Sequence, residues 1–125
     1  MKQCALSILF TGLIHFFGCS QTIYEEYSFQ GKIGSNSINL TFIEPDHFFN
    51  QFEGYYITGQ NVRHTFIGEE GVFEGKIVLK DLINDQVAGF LVFFDLDYSK
   101  SSINGTWYSK DYSKHFDVVL IKKNN

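Results

Sequence analysis

The chain has few of the residues that cross-link a fold or interrupt its strands. Among 125 residues there are two cysteines and one proline. The cysteines are Cys4 and Cys19, so the chain beyond residue 19 has none to pair, and its stability must come from a core.

Lys and Arg form no cluster, and the formal net charge is -4. Because nucleic-acid binding needs concentrated cations, we expect no nucleic-acid partner.

Motifs for catalysis and for metal binding are also missing. The sequence contains no HxH, HExxH, CxxC or G-x-S-x-G pattern, and His47, His64 and His115 lie far apart. Carboxylates such as Glu69-Glu70 fall at strand ends, where solvated charge is the ordinary state. We therefore expect no catalytic residue, no metal and no cofactor. A hydrolase of unrecognised type is the least favoured alternative. His64 and Phe66 are two positions apart in a predicted strand, so they lie on the same face of it. His64 therefore points into the core or partly out.

The long apolar run of this chain is confined to its start. One cation, Lys2, precedes fifteen uncharged residues from Cys4 to Gly18. Such a run is shorter than the roughly 20 apolar residues of a spanning helix, and polar residues follow it. Both features are typical of a secretory signal. We predict that residues 1–18 are a signal peptide and that residues 19–26 form a tether.

The segment Phe16-Phe17-Gly18-Cys19 resembles the lipobox of bacterial lipoprotein precursors. The resemblance implies that the Cys19 thiol receives a diacylglycerol and that signal peptidase II cleaves after Gly18. The new amino group of Cys19 is usually acylated as well, and two or more acyl chains anchor a protein stably to a membrane. Ser20, in place of Asp, implies the outer membrane. The alternative is an ordinary signal peptide with a coincidental cysteine.

From Tyr27 onward, apolar and polar residues alternate, and turn residues interrupt the pattern about every ten positions. This pattern predicts about eight strands and no helix. Short connections join antiparallel neighbours, and closure of the sheet removes its two edges. We predict an all-β domain over residues 27–122, an antiparallel meander closed into a small barrel. Its interior is filled or holds one small ligand. A two-sheet sandwich is the alternative.

Three short motifs carry a second resemblance. They are Gly54-Tyr55-Tyr56, Val87-Ala88-Gly89-Phe90 and Asn104-Gly105-Thr106-Trp107, and an apolar strand from Phe116 to Leu120 closes the series. Together they resemble small bacterial lipoprotein β-barrel domains, most of them uncharacterised. The resemblance implies a barrel of the calycin or lipocalin type in the cell envelope, and it implies nothing about activity.

Tyrosine and tryptophan side chains are the candidate binding surface. These side chains combine apolar faces with polar tips and are enriched at protein interfaces. The third predicted strand carries aromatic residues on both faces, so one set must point away from the core. The candidates are Tyr55, Tyr56, Trp107, Tyr108 and Tyr112. The alternative is that these rings serve core packing and cross-strand pairing alone.

These features predict a non-enzymatic, lipid-anchored binding module whose partner is a protein or a small ligand. The alternative is an inhibitor or immunity protein that blocks a secreted hydrolase such as a lysozyme. Removal of residues 1–18 takes away Lys2 and changes the formal net charge from -4 to -5. That charge suits a basic target, because opposite charges steer association.

Overall fold

The structure is a computed structural model that describes residues 24–45, 51–70 and 75–123. Within these ranges eight antiparallel strands, and no helix, form one closed barrel in which each strand pairs with its neighbours in sequence. The pairing of β1 with β8 closes it. The strands are β1 (Tyr24–Ile33), β2 (Asn36–Pro45), β3 (Gln51–Thr58), β4 (Arg63–Glu70), β5 (Lys76–Ile83), β6 (Gln86–Phe94), β7 (Ser102–Ser109) and β8 (His115–Lys122). The prediction of a small antiparallel barrel is confirmed.

The first strand begins earlier than the alternation of apolar residues indicates. β1 starts at Tyr24 rather than Tyr27, and it overlaps the end of the predicted tether. Glu25 and Glu26 are exposed, and they pair with Glu44 and Ile43 of β2. Backbone pairing, and not apolar burial, therefore sets the beginning of this strand.

Large side chains fill the middle of the barrel. Phe42 lies at the centre, where its ring contacts Phe29, Phe66 and Phe93 edge to face at 5.8, 5.5 and 6.1 Å between centroids. This is a favoured aromatic geometry. The other fully buried leucines and valine are Leu40, Leu79, Leu91, Leu120 and Val118. Packed side chains, and not a ligand, therefore occupy the middle of the barrel.

Two glycines make room for large side chains on the next strand. A Cβ atom on Gly54 would lie 2.7 Å from the ring of Phe66, and one on Gly89 would lie 2.6 Å from the indole of Trp107. Both separations are closer than real carbon atoms allow. The glycines of the first two sequence motifs are thus packing positions, each matched to one aromatic ring.

The barrel has two different ends. The turn end carries the four short turns around Gly34, Gly59, Asn84 and Asp111, and the tether end carries the start of β1 and the loop 95–101.

The loop at the tether end covers the core. The ring of Tyr98 stacks on Tyr27 at 4.7 Å and lies 4.9 Å from Phe42. The Lys122 ammonium donates to the Tyr98 carbonyl oxygen at 3.1 Å. Burial raises the pKa of the Tyr98 hydroxyl, so this side chain stays neutral as it packs. The tether end is therefore closed by an aromatic plug.

We predict that Gly54→Ala lowers the free energy of unfolding by about 1–3 kcal/mol, because the new methyl group meets Phe66 and the Thr41 carbonyl. Equilibrium urea denaturation measures the change. Gly59→Ala is the matched control, since its Cβ would lie 3.9 Å from the nearest atom, the Ser37 oxygen. Equal losses in the two variants would contradict the close packing described at Gly54.

Candidate functional site

Asp81 places a carboxyl group inside the barrel near the turn end. In β5, Ile77, Leu79 and Asp81 alternate on the inward face. Asp81 is completely buried, with 0% of its surface exposed. Burial of a charged group is costly unless hydrogen bonds replace its hydration. The neighbours of this carboxylate therefore decide whether the fold tolerates it.

Three side chains from three other strands satisfy the carboxylate. The Tyr56 hydroxyl and the Trp107 indole Nε1 donate to its Oδ2 at 2.5 and 2.9 Å. The His64 Nδ1 lies 2.8 Å from its Oδ1. An ionised carboxylate accepts hydrogen bonds and cannot donate them, so His64 carries a proton on Nδ1 in this pair. We call Asp81, Tyr56, His64 and Trp107 the Asp81 cluster. Among the described residues, no buried side-chain nitrogen or oxygen is left without a hydrogen bond.

The rings of the cluster hold one another in place. Tyr56 and His64 stack with centroids 4.3 Å apart and planes 15° from parallel. Burial, and then the charge of Asp81, raises the pKa of the Tyr56 hydroxyl far above its ordinary value. Tyr56 therefore remains protonated at neutral pH and donates to Asp81. The His64 side chain is 12% exposed and points inward. This is one of the two orientations expected from its position in the sequence.

A pocket of about 180 Å³ opens above the cluster at the turn end. Trp107 stacks on Phe116 at 5.8 Å. This pair lies on β7 and β8, across the closed barrel from Tyr56 and His64 on β3 and β4. The lining residues are Ile33, Asn36, Ile38, Tyr56, Thr58, His64, Trp107 and Phe116. Ligand pockets of roughly 300–1,000 Å³ suit drug-sized molecules, so this one suits a smaller group.

The five aromatic residues of the predicted binding surface fall into two sets. Tyr56 and Trp107 point inward and line the pocket. Tyr55 and Tyr108 lie on the outer faces of β3 and β7, since they alternate with inward neighbours. Tyr112 lies in the β7–β8 turn and is 60% exposed. The structure therefore brings two of the five together at one site and leaves the other three outside it.

Tyr112 has an unusual backbone conformation. Its φ is +63°, in the left-handed region that bulky residues rarely adopt. Its ring stacks on Phe90 at 5.3 Å, with the planes 1° from parallel. Asp111 holds the turn, because its carboxylate accepts bonds from the hydroxyl and amide of Ser113. These bonds, with one from the Ser109 hydroxyl, lower the pKa of Asp111 to about 2.

Sequence reasoning missed Asp81. The signal that could have found it is its parity, since Asp81 follows Ile77 and Leu79 at the same spacing of two. A charged residue at the third inward position of a strand requires buried partners.

The predicted lipidation and cleavage residues, Cys19 and Gly18, lie outside the described residues. In the ranges that the structure does describe, no group of three or more His, Cys, Asp and Glu side chains is placed to hold a metal ion.

Comparisons with protein families, curated proteins and solved structures find no match for this chain. Among the described residues no helix has the length and hydropathy needed to cross a membrane. The pocket and the Asp81 cluster are therefore the features from which a function is inferred.

We predict that Asp81→Asn lowers the free energy of unfolding by about 3 kcal/mol, because the new NH₂ group faces side chains that themselves donate. Thermal or urea unfolding measures the loss. Asp85→Asn is the matched control, since Asp85 is exposed and its φ of +64° suits asparagine equally. A change below about 0.5 kcal/mol is expected for the control. A similarly small change for Asp81→Asn would show that the cluster does not stabilise the barrel.

Proposed function

We propose that the protein is a non-enzymatic binding module of the bacterial cell envelope, anchored by lipid at Cys19, and that the pocket at the turn end is its binding site. The pocket itself carries the proposal. Its floor is built from side chains that hydrogen-bond one another through Asp81, so the site is formed before any ligand arrives. A site that is already ordered binds without the entropic cost of ordering its own side chains.

The position of the tether supports a role in binding away from the membrane. The chain enters the barrel at Tyr24, at the end opposite the pocket. Four residues lie between Cys19 and Tyr24, so five residue-to-residue steps join them. At roughly 3.3–3.6 Å for each step, these five steps span at most about 18 Å. An anchor at Cys19 therefore keeps the tether end near the bilayer and leaves the pocket facing outward.

The hydrogen bonding of the pocket supports binding rather than catalysis. An Asp–His pair activates a nucleophile in acyl transfer only when a hydroxyl or thiol is free to react. Among the described lining residues the two hydroxyl groups belong to Tyr56 and Thr58. Tyr56 donates to Asp81, and Thr58 accepts from the amide of Val62 at 3.1 Å. Among the described residues neither hydroxyl therefore donates its proton to His64, the group that would act as the base.

A second candidate is an inhibitor or immunity protein that blocks a basic hydrolase such as a lysozyme. The size of the pocket supports this alternative, since about 180 Å³ is room for a single protein side chain. The predicted charge of -5 for residues 19–125 would steer a basic partner toward it.

Labelling with radioactive palmitate tests the anchor. We expect the label in wild-type protein and in Cys4→Ala, because Cys4 leaves with the signal peptide. We expect none in Cys19→Ala, which lacks the thiol that receives lipid. Membrane fractionation of the same strains should place the labelled protein in the outer membrane. Undiminished labelling of Cys19→Ala would refute the anchor.

A pull-down from envelope extract tests the pocket. Asn36 is an exposed residue of its rim, so Asn36→Trp should fill the mouth and leave the fold intact. Gln86→Trp is the matched control, since Gln86 is exposed at the same end and does not line the pocket. We expect wild type and Gln86→Trp to retain a common partner or ligand that Asn36→Trp loses. Equal retention by all three would place binding elsewhere.

A further inference from the structure

We infer that the pocket accepts one positively charged group, an alkylammonium or a guanidinium, in preference to neutral or anionic groups of the same size. The inference deepens the proposed function and rests on it, because it assigns a ligand class to the same site. Three properties of the pocket carry it: the sign of the charge beneath the floor, the aromatic walls, and the acceptor atoms that face the ligand.

The charge beneath the floor is never positive. With His64 neutral the Asp81 cluster has a net charge of -1, and with His64 protonated its net charge is zero. None of the described lining residues is Lys or Arg. Asp81 is fully buried, and charges interact more strongly at low dielectric than in water. With His64 neutral, the charge of Asp81 therefore attracts a cation in the pocket and repels an anion. Protonation of His64 cancels this electrostatic preference, because the imidazolium offsets the Asp81 charge and its Nε2 becomes a donor.

The walls are suited to a cation. Trp107 and Phe116 form one stacked pair, and Tyr56 and His64 form the other. The faces of Trp, Tyr and Phe attract an ammonium or guanidinium within about 6 Å, and Trp attracts it best. This attraction is stronger when water is partly excluded, as it is in a small pocket. Trp107 and Phe116 therefore add a preference for a cation that does not depend on the protonation of His64.

The remaining lining atoms match a charged head on an apolar stem. Because Nδ1 of neutral His64 donates to Asp81, its Nε2 is an acceptor for an N–H group in the pocket. Asn36 lies at the rim, and its side-chain amide has an oxygen that can accept a further hydrogen bond. Ile33 and Ile38 supply aliphatic wall, which suits the methylene stem of a lysine or arginine. The group belongs either to a protein side chain or to a small free amine.

The chain contains one tryptophan, and it lies in the pocket, so its fluorescence reports on occupancy directly. The experiment titrates the full chain in detergent with Nα-acetyl-lysine amide and Nα-acetyl-arginine amide. Nα-acetyl-norleucine amide and Nα-acetyl-glutamate amide are the neutral and anionic controls. We expect saturable changes with the two cations, with Kd of about 1 mM, and affinity at least about tenfold weaker for the controls. Equal or tighter binding of either control would overturn the inference.

A pair of variants localises the effect. Asn36→Lys places a fixed cation at the rim and should abolish binding of the lysine amide. Gln86→Lys adds the same charge at the same end outside the pocket and should keep the affinity within about twofold of wild type. Both positions are exposed, so neither change endangers the fold. Unaltered binding in Asn36→Lys would also overturn the inference.

A further arm identifies the source of the cation. Lysozyme, a basic protein, is titrated onto immobilised wild type, Asn36→Lys and Gln86→Lys. A Kd at least 100-fold below that of the amides, lost only in Asn36→Lys, assigns the group to a protein side chain. Binding no tighter than that of the amides excludes lysozyme as the source and favours a small amine.

Failure of this inference differs from failure of the proposed function. If only a neutral or anionic amide binds, the pocket is a site for another class of ligand and the proposed function stands. If no amide alters Trp107 fluorescence and Asn36→Trp keeps the partners of wild type, the proposed function fails as well.

Discussion

The carboxylate of Asp81 joins four strands from inside the barrel. Its donors lie on β3, β4 and β7, while Asp81 itself is on β5. Because β3 and β7 lie on opposite sides of a closed eight-stranded barrel, these bonds cross the interior. Loss of any donor would leave a buried charge short of hydrogen bonds. This requirement fixes the orientation of three rings, and those rings form the floor and part of the wall of the pocket.

The three sequence motifs meet at this carboxylate. The first motif supplies Tyr56, and the third supplies Trp107. The second supplies Gly89, whose Cα pairs with that of Asp81 and which leaves space for the indole. Each of the three motifs thus contributes one residue to the surroundings of Asp81, and Gly54 of the first motif has a separate role in packing against Phe66.

The alternation of apolar residues predicted the eight strands, and the barrel was preferred to a two-sheet sandwich because closure removes the two exposed edges. Each strand buries one face, and short turns restrict neighbours to antiparallel pairing, so the order of strands follows from the order of turns. The beginning of β1 could not be predicted in this way, since Glu25 and Glu26 are held by backbone pairing.

The site was less accessible to the same reasoning. Because Tyr55 and Tyr56 are neighbours in β3, they point to opposite faces of the strand, but the sequence does not show which face lies inside the barrel. The donors of Asp81 lie 25, 17 and 26 residues away in sequence, so the cluster exists only after the barrel closes.

The barrel has no cysteine beyond Cys19, so its stability depends on a packed core. A domain of about 100 residues has a small core, and without a cross-link that core must remain packed. Phe42 and the rings around it therefore occupy the middle, and a lipocalin-like central cavity would remove the contacts that stabilise the barrel. The tether end is closed by Tyr98, and an anchored barrel would turn that end toward the bilayer. Space for a binding site then remains only at the opposite end. Asp81 and its donors form the bottom of that space and so limit its depth. A pocket in that position is wide enough for one charged group on a short stem, and this is why the proposed binding of a partner is assigned to such a group.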